Sequence, residues 1–185
     1  NIEKDILEIC ENKLKDLEKI NIKVEAIKPK IKNDILWNSW TTLRAKNIYE
    51  DTLAMNISDI NSMTFQAIWE YNKGKEIKSE EIRLALDQKQ QCLSQINLIF
   101  LNFDFLALPS AQIFPFDKNL QYPKNINNIE LDTYHRWLEV FILSSLLELP
   151  TITIPVGFNK DGMPMGMQII GRNKDDLKVF NFANM

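Results

Sequence analysis

Residues 149–172 read LPTITIPVGFNKDGMPMGMQIIGR, and the two apolar runs in this stretch decide the fold class. Thr151–Phe158 is rich in β-branched and apolar residues, and residues 165–170 are again apolar. Between them, residues 159–162 have the composition of a turn. The stretch therefore predicts two strands joined by a short loop, paired either with each other or through a neighbouring strand.

The residues on either side of this stretch predict one more strand and further helices, which fits a mixed sheet with helices around it. Residues 105–108 form a short apolar run that stops at Pro109, which predicts a buried strand. Residues 110–131 have the composition of a loop, and residues 132–148 are apolar at helical spacing. A last helix is expected to begin near Asp175.

The first part of the chain is predicted to be mainly helical, because turn residues are scarce there. Gly74 and Pro29 are the only glycine and proline before Leu108. Helical periodicity predicts four helices, at residues 2–20, after a cap at Asn33 or Asp34, at residues 60–72 with an end at Gly74, and at residues 80–102.

Two details of the first helix region carry separate expectations. Asn21 is expected to end the first helix in a left-handed conformation. Residues 22–26 alternate between apolar and charged side chains, which predicts a short, half-buried strand. The fold class is therefore α/β, with a helical part at residues 1–102 and a strand-rich and loop-rich part at residues 103–185.

Composition limits the classes of function. The chain has 185 residues, 45% hydrophobic content and a formal charge of −3, which fits a globular domain and disfavours disorder or nonspecific nucleic-acid binding. Cys10, Cys92 and the single His135 provide no zinc-ligand cluster, and two distant thiols suit the reducing cytoplasm. No signal peptide and no apolar run of about 18 residues is visible, so we expect neither secretion nor a membrane span.

The usual hydrolase and nucleotide-binding motifs do not occur in the sequence. G-x-S-x-G, G-x-x-x-x-G-K-[ST], G-x-G-x-x-G and H-E-x-x-H are all missing. Ser144 and Ser145 are interpreted as helix packing, because no base lies nearby in sequence. His135 is open to an acid–base role, but structural hydrogen bonding is favoured. Asp175 and Asp176 are interpreted as the opening turn of a helix and not as a metal site.

Three stretches, in this order and spacing, resemble the C-terminal segments of amidase-signature hydrolases: residues 105–112 (FLALPSAQ), 149–158 (LPTITIPVGF) and 161–172 (DGMPMGMQIIGR). Residues 132–140 (DTYHRWLEV) are similar to one bacterial branch of the family, and residues 36–44 fit the same branch more weakly. One residue departs from the family pattern, because Glu148 stands where members usually carry glycine. A charged residue there suggests a looser or solvent-facing end of the helix.

The resemblance implies an enzyme that hydrolyses amide C–N bonds with a serine nucleophile, a second serine in a cis peptide and a lysine. Those residues sit in a Gly/Ser-rich core, and no Gly-Gly-Ser-Ser stretch occurs in this sequence. We therefore assign no catalytic residue and expect the C-terminal portion of a longer amidase, inactive alone. The resemblance implies no cofactor and no metal. Its implied partners are the missing N-terminal core and a small amide substrate, with a homo-oligomer left open.

The expected role of this portion is to complete the sheet and one wall of the substrate cleft. The loop after Pro109 follows a strand end, where ligands commonly bind in α/β folds. The candidate substrate-binding residues are Ser110, Gln112, Tyr134, His135 and Trp137. The alternative is that all five simply pack.

Two other functions stay open. One is a noncatalytic partner or degenerate pseudoenzyme that binds another chain. The other is the amidase subunit of a transfer-RNA amidotransferase, which residues 134–140 and the lack of a basic, aromatic-studded face disfavour.

Overall fold

The computed structural model describes residues 1–57 and 59–185 and divides into two compact units. Residues Asn1–Pro29 and Asn97–Met185 form the first unit, and residues Lys30–Ile96 form the second. The helices are α1 (Ile6–Glu18), α2 (Asn33–Ala54), α3 (Phe65–Glu76), α4 (Ser79–Ile99), α5 (Ile142–Leu147) and α6 (Asp176–Ala183), with 3-10 turns at Ile60–Ser62 and Arg136–Phe141. The strands are β1 (Leu106–Pro109), β2 (Asn125–Ile126), β3 (Ile129–Glu130), β4 (Thr151–Phe158) and β5 (Pro164–Ile170). The chain is thus α/β, with helices first and strands later. No described helix is long and apolar enough to cross a membrane.

The main sheet confirms the strands predicted from residues 149–172. Its order is β1-β5-β4, and β5 is antiparallel to both neighbours. β4 and β5 form a hairpin whose turn is closed by the side chain of Asn159, which accepts hydrogen bonds from the amides of Asp161 and Met163. A β-bulge lies between Pro155 and Gly157, so the second half of β4 bends away from regular pairing.

One face of this sheet is covered by α1. The buried residues of α1, Ile6 and Cys10, pack against the buried residues of β5 in one cluster. The β5 residues of this cluster are Met165, Met167 and Ile169. The amphipathic pattern that predicted the first helix is therefore the pattern that buries it.

Residues 22–26 do not form the predicted strand: in the described chain they pair with no other strand. Ile22 and Val24 are nevertheless half-buried, while Lys23 and Glu25 are exposed. The alternation correctly indicated a segment with one buried face. It could not supply the hydrogen-bonding partner that a strand also needs. Asn21 has φ 65°, which confirms the predicted left-handed end of the first helical segment.

The second unit corrects two helix boundaries. Neither Asn33 nor Asp34 caps α2: the N-cap is Lys32, whose side chain makes no capping hydrogen bond. Gly74 does not end α3 but lies inside it. A Cβ at this position would be 2.2 Å from the Ala45 carbonyl oxygen on α2. The glycine therefore permits close approach of two helices instead of a left-handed turn.

The long loop at residues 110–131 contains a small hairpin that was not predicted from the sequence. β2 and β3 pair across Asn127 and Asn128, whose φ angles are 52° and 62°. Two consecutive positive φ angles are the signature of a type I′ turn, which Asn tolerates better than most residues. The Ile-Asn-Asn-Ile pattern at residues 126–129 was the available signal.

Candidate functional site

Ser110 lies where β1 ends, beside β5. Its amide donates to the carbonyl oxygen of Gly166 over 2.9 Å, which continues the β1–β5 ladder by one residue. A Cβ on Gly166 would lie 2.6 Å from Ser110 Oγ and 2.8 Å from the Thr153 methyl carbon. Glycine at position 166 therefore lets both hydroxyl-bearing residues approach the same point of the sheet. Ser110 is half-buried, and its Oγ makes no hydrogen bond to any described residue.

Gln112 is buried, with 3% of its surface exposed, and both ends of its side-chain amide bind backbone. Its Nε2 donates to the Asn1 carbonyl oxygen over 2.8 Å, and its Oε1 accepts from the Val140 amide over 3.1 Å. The amide of Glu3 donates to the Gln112 carbonyl oxygen over 2.7 Å. Gln112 therefore holds the loop to the start of the chain and to the 3-10 helix.

Gln168 on β5 completes this arrangement, although it was not a candidate from the sequence. It is fully buried; its Nε2 donates to the carbonyl oxygens of Pro109 (2.9 Å) and Val140 (3.2 Å). Its Oε1 accepts from Ser144 Oγ over 3.2 Å. Gln112 thus binds the backbone amide of Val140, and Gln168 binds its carbonyl oxygen. The available signal was one polar residue within the apolar run at 165–170, because a buried amide needs hydrogen-bonding partners.

Trp137 lies on the 3-10 helix Arg136–Phe141; this helix and the loop after Pro109 are together called the wall. Trp137 is half-buried and meets Phe116 edge to face, with ring centroids 5.4 Å apart. The loop after Pro109 therefore contacts this helix twice, through Gln112 at Val140 and through Phe116 at Trp137. Ser110 and Gln112 on the loop and Trp137 on the helix therefore lie in two segments that contact each other, with Gln112 buried and Ser110 and Trp137 half-buried.

Tyr134 and His135 are more deeply placed, with 9% and 1% of their surfaces exposed. Their ring centroids are 3.8 Å apart, and Tyr134 also packs against Tyr122 at 6.2 Å. The backbone carbonyl of His135 accepts from the Leu138 amide over 2.8 Å, so this residue opens the 3-10 helix. Both side chains are therefore buried next to the start of this 3-10 helix.

Arg136 follows these aromatic residues in the sequence and binds two carboxylates. Its guanidinium donates twice to Asp132, over 2.8 and 3.1 Å, and once to Glu139 over 3.3 Å. The hydrogen bond from Arg136 holds the pKa of the Asp132 carboxyl below its usual range. These ion pairs connect the start of the 3-10 helix to Asp132 before it and to Glu139 within it.

The serine hydroxyls whose partners are described are not activated as nucleophiles. Ser39 Oγ donates to the Ala85 carbonyl oxygen over 2.6 Å, and Ser94 Oγ donates to that of Gln90 over 2.9 Å. Ser144 is buried on α5 against Gln168, as the packing interpretation predicted, whereas Ser145 is exposed, so the interpretation is wrong for Ser145. A carbonyl or amide oxygen cannot take the proton that an attacking serine must lose. Among the described residues, no group of three His, Cys, Asp or Glu side chains is placed to hold a metal ion.

The family profile named Amidase matches residues 1–180. The chain belongs to the amidase family. Three solved structures share its fold: a bacterial aryl acylamidase of the amidase signature family (TM-score 0.82, 20% identity), an amidase (0.83, 16%) and a glutamyl-tRNA(Gln) amidotransferase subunit from Thermotoga maritima (0.70, 24%). The fit covers 96–98% of this chain but only 38–41% of those chains.

Curated relatives of this amidase-family chain include glutamyl-tRNA(Gln) amidotransferase subunits of the same type. The protein from Borreliella afzelii strain PKo is 28% identical over 91 residues, which is 49% of this chain and 18% of the relative. The protein from Ehrlichia canis strain Jake is 31% identical over 144 residues, which is 69% of this chain and 28% of the relative. The chain therefore spans less than a third of the length of these relatives.

Glu148, the departure from the amidase-signature pattern, caps α5 in the left-handed region at φ 54° and ψ 41°. Its amide donates to the Ser145 carbonyl oxygen, and the Leu149 amide donates to that of Ser144. Helices commonly end in this way with glycine, the residue that the resemblance implies at this position. Glu148 is exposed, as expected for a charged residue at a solvent-facing helix end.

Proposed function

We propose that these residues are the C-terminal structural and substrate-cleft portion of a serine-dependent amidase. The complete protein would hydrolyse an amide C–N bond, and the serine–serine–lysine centre would lie in residues outside this chain. One observation carries the proposal: the family profile spans residues 1–180, while the chain covers only 38–41% of the solved members.

The wall supports a role in substrate positioning. Ser110 offers a hydroxyl beside Gly166, and the half-buried Trp137 offers an apolar surface on the linked 3-10 helix. Ligand sites commonly combine apolar lining with a few placed polar groups. In this proposal Ser110 and Trp137 touch the substrate, while Gln112, Tyr134 and His135 hold the wall in place.

The isolated chain should not turn over amides, because the acylation chemistry is not in it. Loss of a complete serine-based catalytic centre removes on the order of 10⁶ in rate. No cofactor enters the proposal. The buried thiols of Cys10 and Cys92 are consistent with the reducing environment of a bacterial cytoplasm.

A second candidate is the corresponding subunit of a glutamyl-tRNA(Gln) amidotransferase. The observation that favours it is the identity of the curated relatives, among them the Ehrlichia canis protein at 31% identity. Residues 134–140 argue for the amidase branch instead. In either case the catalytic serines lie elsewhere. A degenerate pseudoenzyme that binds another chain is the remaining alternative.

The test begins with the native gene around codon 1. We expect an in-frame upstream segment that encodes a lysine followed by a Gly/Ser-rich serine pair. The protein expressed from that complete frame should release ammonia or amine from simple amides without transfer RNA. Activity that requires glutamyl-tRNA(Gln) and further protein chains would favour the second candidate, and a start codon directly before Asn1 would favour the pseudoenzyme.

A further inference from the structure

Residues 1–3 hold both ends of the long loop after Pro109, and we call these three residues the strap. At the first end, the amide of Glu3 donates to the Gln112 carbonyl oxygen over 2.7 Å. The amide of Phe114 donates to Glu3 Oε2 over 2.8 Å, so the carboxylate fixes the loop two residues further along. A hydrogen bond from a backbone amide to a carboxylate is stronger than one between neutral groups.

The second end of the loop is the hairpin β2–β3, which contacts the strap through Asn127. The side-chain amide of Asn127 donates to the Ile2 carbonyl oxygen over 2.7 Å and to Asn1 Oδ1 over 3.2 Å. In return, Asn1 Nδ2 donates to the Ile126 carbonyl oxygen over 2.5 Å. Asn127 is exposed, so this link can be removed by a substitution at the surface that leaves the core unchanged.

The strap is itself anchored to the core of the first unit. Ile2 is half-buried and packs against the cluster between α1 and β5, and Phe114 packs against the same cluster. Ile6, at the start of α1, is fully buried. The strap is therefore a fixed support for a loop whose own backbone forms few regular hydrogen bonds, and such supports hold a binding site in place.

The supported part of the loop lies next to the aromatic contact of the wall. Phe116 follows Phe114 by two residues, with Pro115 between them. Proline restricts its own φ and the conformation of the residue before it, so little freedom is left between the two phenylalanines. Phe116 then meets Trp137 edge to face, with ring centroids 5.4 Å apart. Fixing the Phe114 amide therefore limits where Phe116, and with it the Trp137 ring, can lie.

We propose that Glu3 and Asn127 are positioning residues, which place Phe116 against Trp137 through the strap and so set how tightly the cleft binds the apolar part of an amide substrate. This inference rests on the proposed function, in which Trp137 touches the substrate. Neither positioning residue contacts the reacting atoms. Loosening the strap should therefore weaken binding and leave the chemical step unchanged, which raises KM at constant kcat.

Steady-state kinetics of the protein from the complete native reading frame test the proposal. Benzamide and acetanilide carry a ring on either side of the C–N bond, whereas acetamide carries none. Asn127→Asp removes the amide donor and keeps a residue that tolerates positive φ. KM for the better of the two aryl amides should rise about tenfold, the equivalent of one lost hydrogen bond. The kcat values and the KM for acetamide should not change.

Asn128→Asp is the matched control for this substitution. Asn128 is exposed in the same turn, with φ 62°, and its side chain makes no hydrogen bond to any described residue. The control adds the same charge at the neighbouring position, so it should leave every KM unchanged.

Glu3 gives an independent pair of variants. Glu3→Ala removes the acceptor of the Phe114 amide and should raise KM for the aryl amide, whereas Glu3→Gln keeps an oxygen there and should restore most of the binding. The route through Trp137 is tested by a double-mutant cycle: in a Trp137→Leu background, Asn127→Asp should have little further effect on KM, because neighbours in one chain of contacts are not additive.

Hydrogen exchange of the same proteins shows whether the strap has opened. The Phe114 amide should exchange faster in Asn127→Asp and Glu3→Ala, and at the wild-type rate in Asn128→Asp. An aryl-amide KM that stays unchanged while this amide exchanges faster would overturn the inference and leave the proposed function standing. Equal rises in KM for the aryl amide and acetamide would do the same. A complete protein that hydrolyses no amide would overturn both.

Discussion

At the scale of single residues, backbone conformation and close packing explain two positions, Glu148 and Gly166. Glu148 occupies a conformation that suits glycine, with φ 54°. Gly166 is required by the approach of Ser110 and Thr153, and its substitution would displace a hydroxyl of the proposed site. These positions could be recognised from the sequence only as glycines, or as a departure from glycine, because φ and close approach are properties of the folded chain.

We expect Glu148→Gly to stabilise the protein by about 1 kcal/mol, since it relieves a left-handed conformation that costs a side-chain-bearing residue about that much. Urea unfolding of the two proteins measures the difference. Glu148→Ala is the matched control, because it removes the charge and keeps the strain, and it should not stabilise the protein. Equal stabilisation by both variants would refute the conformational explanation.

Cys10 predicts a loss of stability at alkaline pH. Burial raises the pKa of its thiol from 9.0 to about 11. The folded state therefore favours the neutral thiol; this contribution is complete below pH 9 and is lost as the pH rises to about 11. A shift of this size corresponds to at most on the order of 3 kcal/mol. The contribution of the Cys10 thiol is measured by comparing the unfolding free energies of wild type and Cys10→Ala between about pH 8 and pH 11. The difference between the two proteins should shrink as the pH rises. A difference that stays constant would refute the prediction.

At the scale of elements, the strands were predictable because β4 and β5 carry their own pattern and their own turn. The unpaired segment at residues 22–26 shows the opposite case, since alternation describes a face and pairing needs a partner. The wall was only half predictable. The loop after Pro109 and the aromatic stretch were found from resemblance, but Gln168 was missed because its role depends on Val140, 28 residues away in sequence.

Gln168 is expected to be the residue that joins β5 to the wall. Gln168→Met keeps the volume but leaves the Pro109 and Val140 carbonyl oxygens without their donor, which should destabilise the chain by about 2–4 kcal/mol. Met167→Leu, at the adjacent buried position, should cost less than about 1.5 kcal/mol. Equal effects in urea unfolding would show that Gln168 acts only by filling space.

At the scale of the whole molecule, an open strand edge predicts association of the isolated chain. The first half of β4 has unpaired backbone groups and no charge to discourage contact. Multi-angle light scattering at micromolar concentrations should therefore find dimers or larger species, reduced by Thr153→Pro. Phe180→Ser provides the comparison, because Phe180 is exposed on α6 in the same unit. A stable monomer, or dissociation by Phe180→Ser alone, would contradict association through the edge.

The central claim is that these residues shape an amidase cleft whose reactive groups lie in another part of the polypeptide. The most direct measurement is hydrolysis of simple amides, such as an aryl acetamide and a primary amide, by the purified 185-residue chain and by the protein from the complete native frame. We expect no turnover above background for the isolated chain and serine-dependent turnover for the complete protein. Measurable amide hydrolysis by the isolated chain, abolished by changing one of its own serines, would contradict the claim.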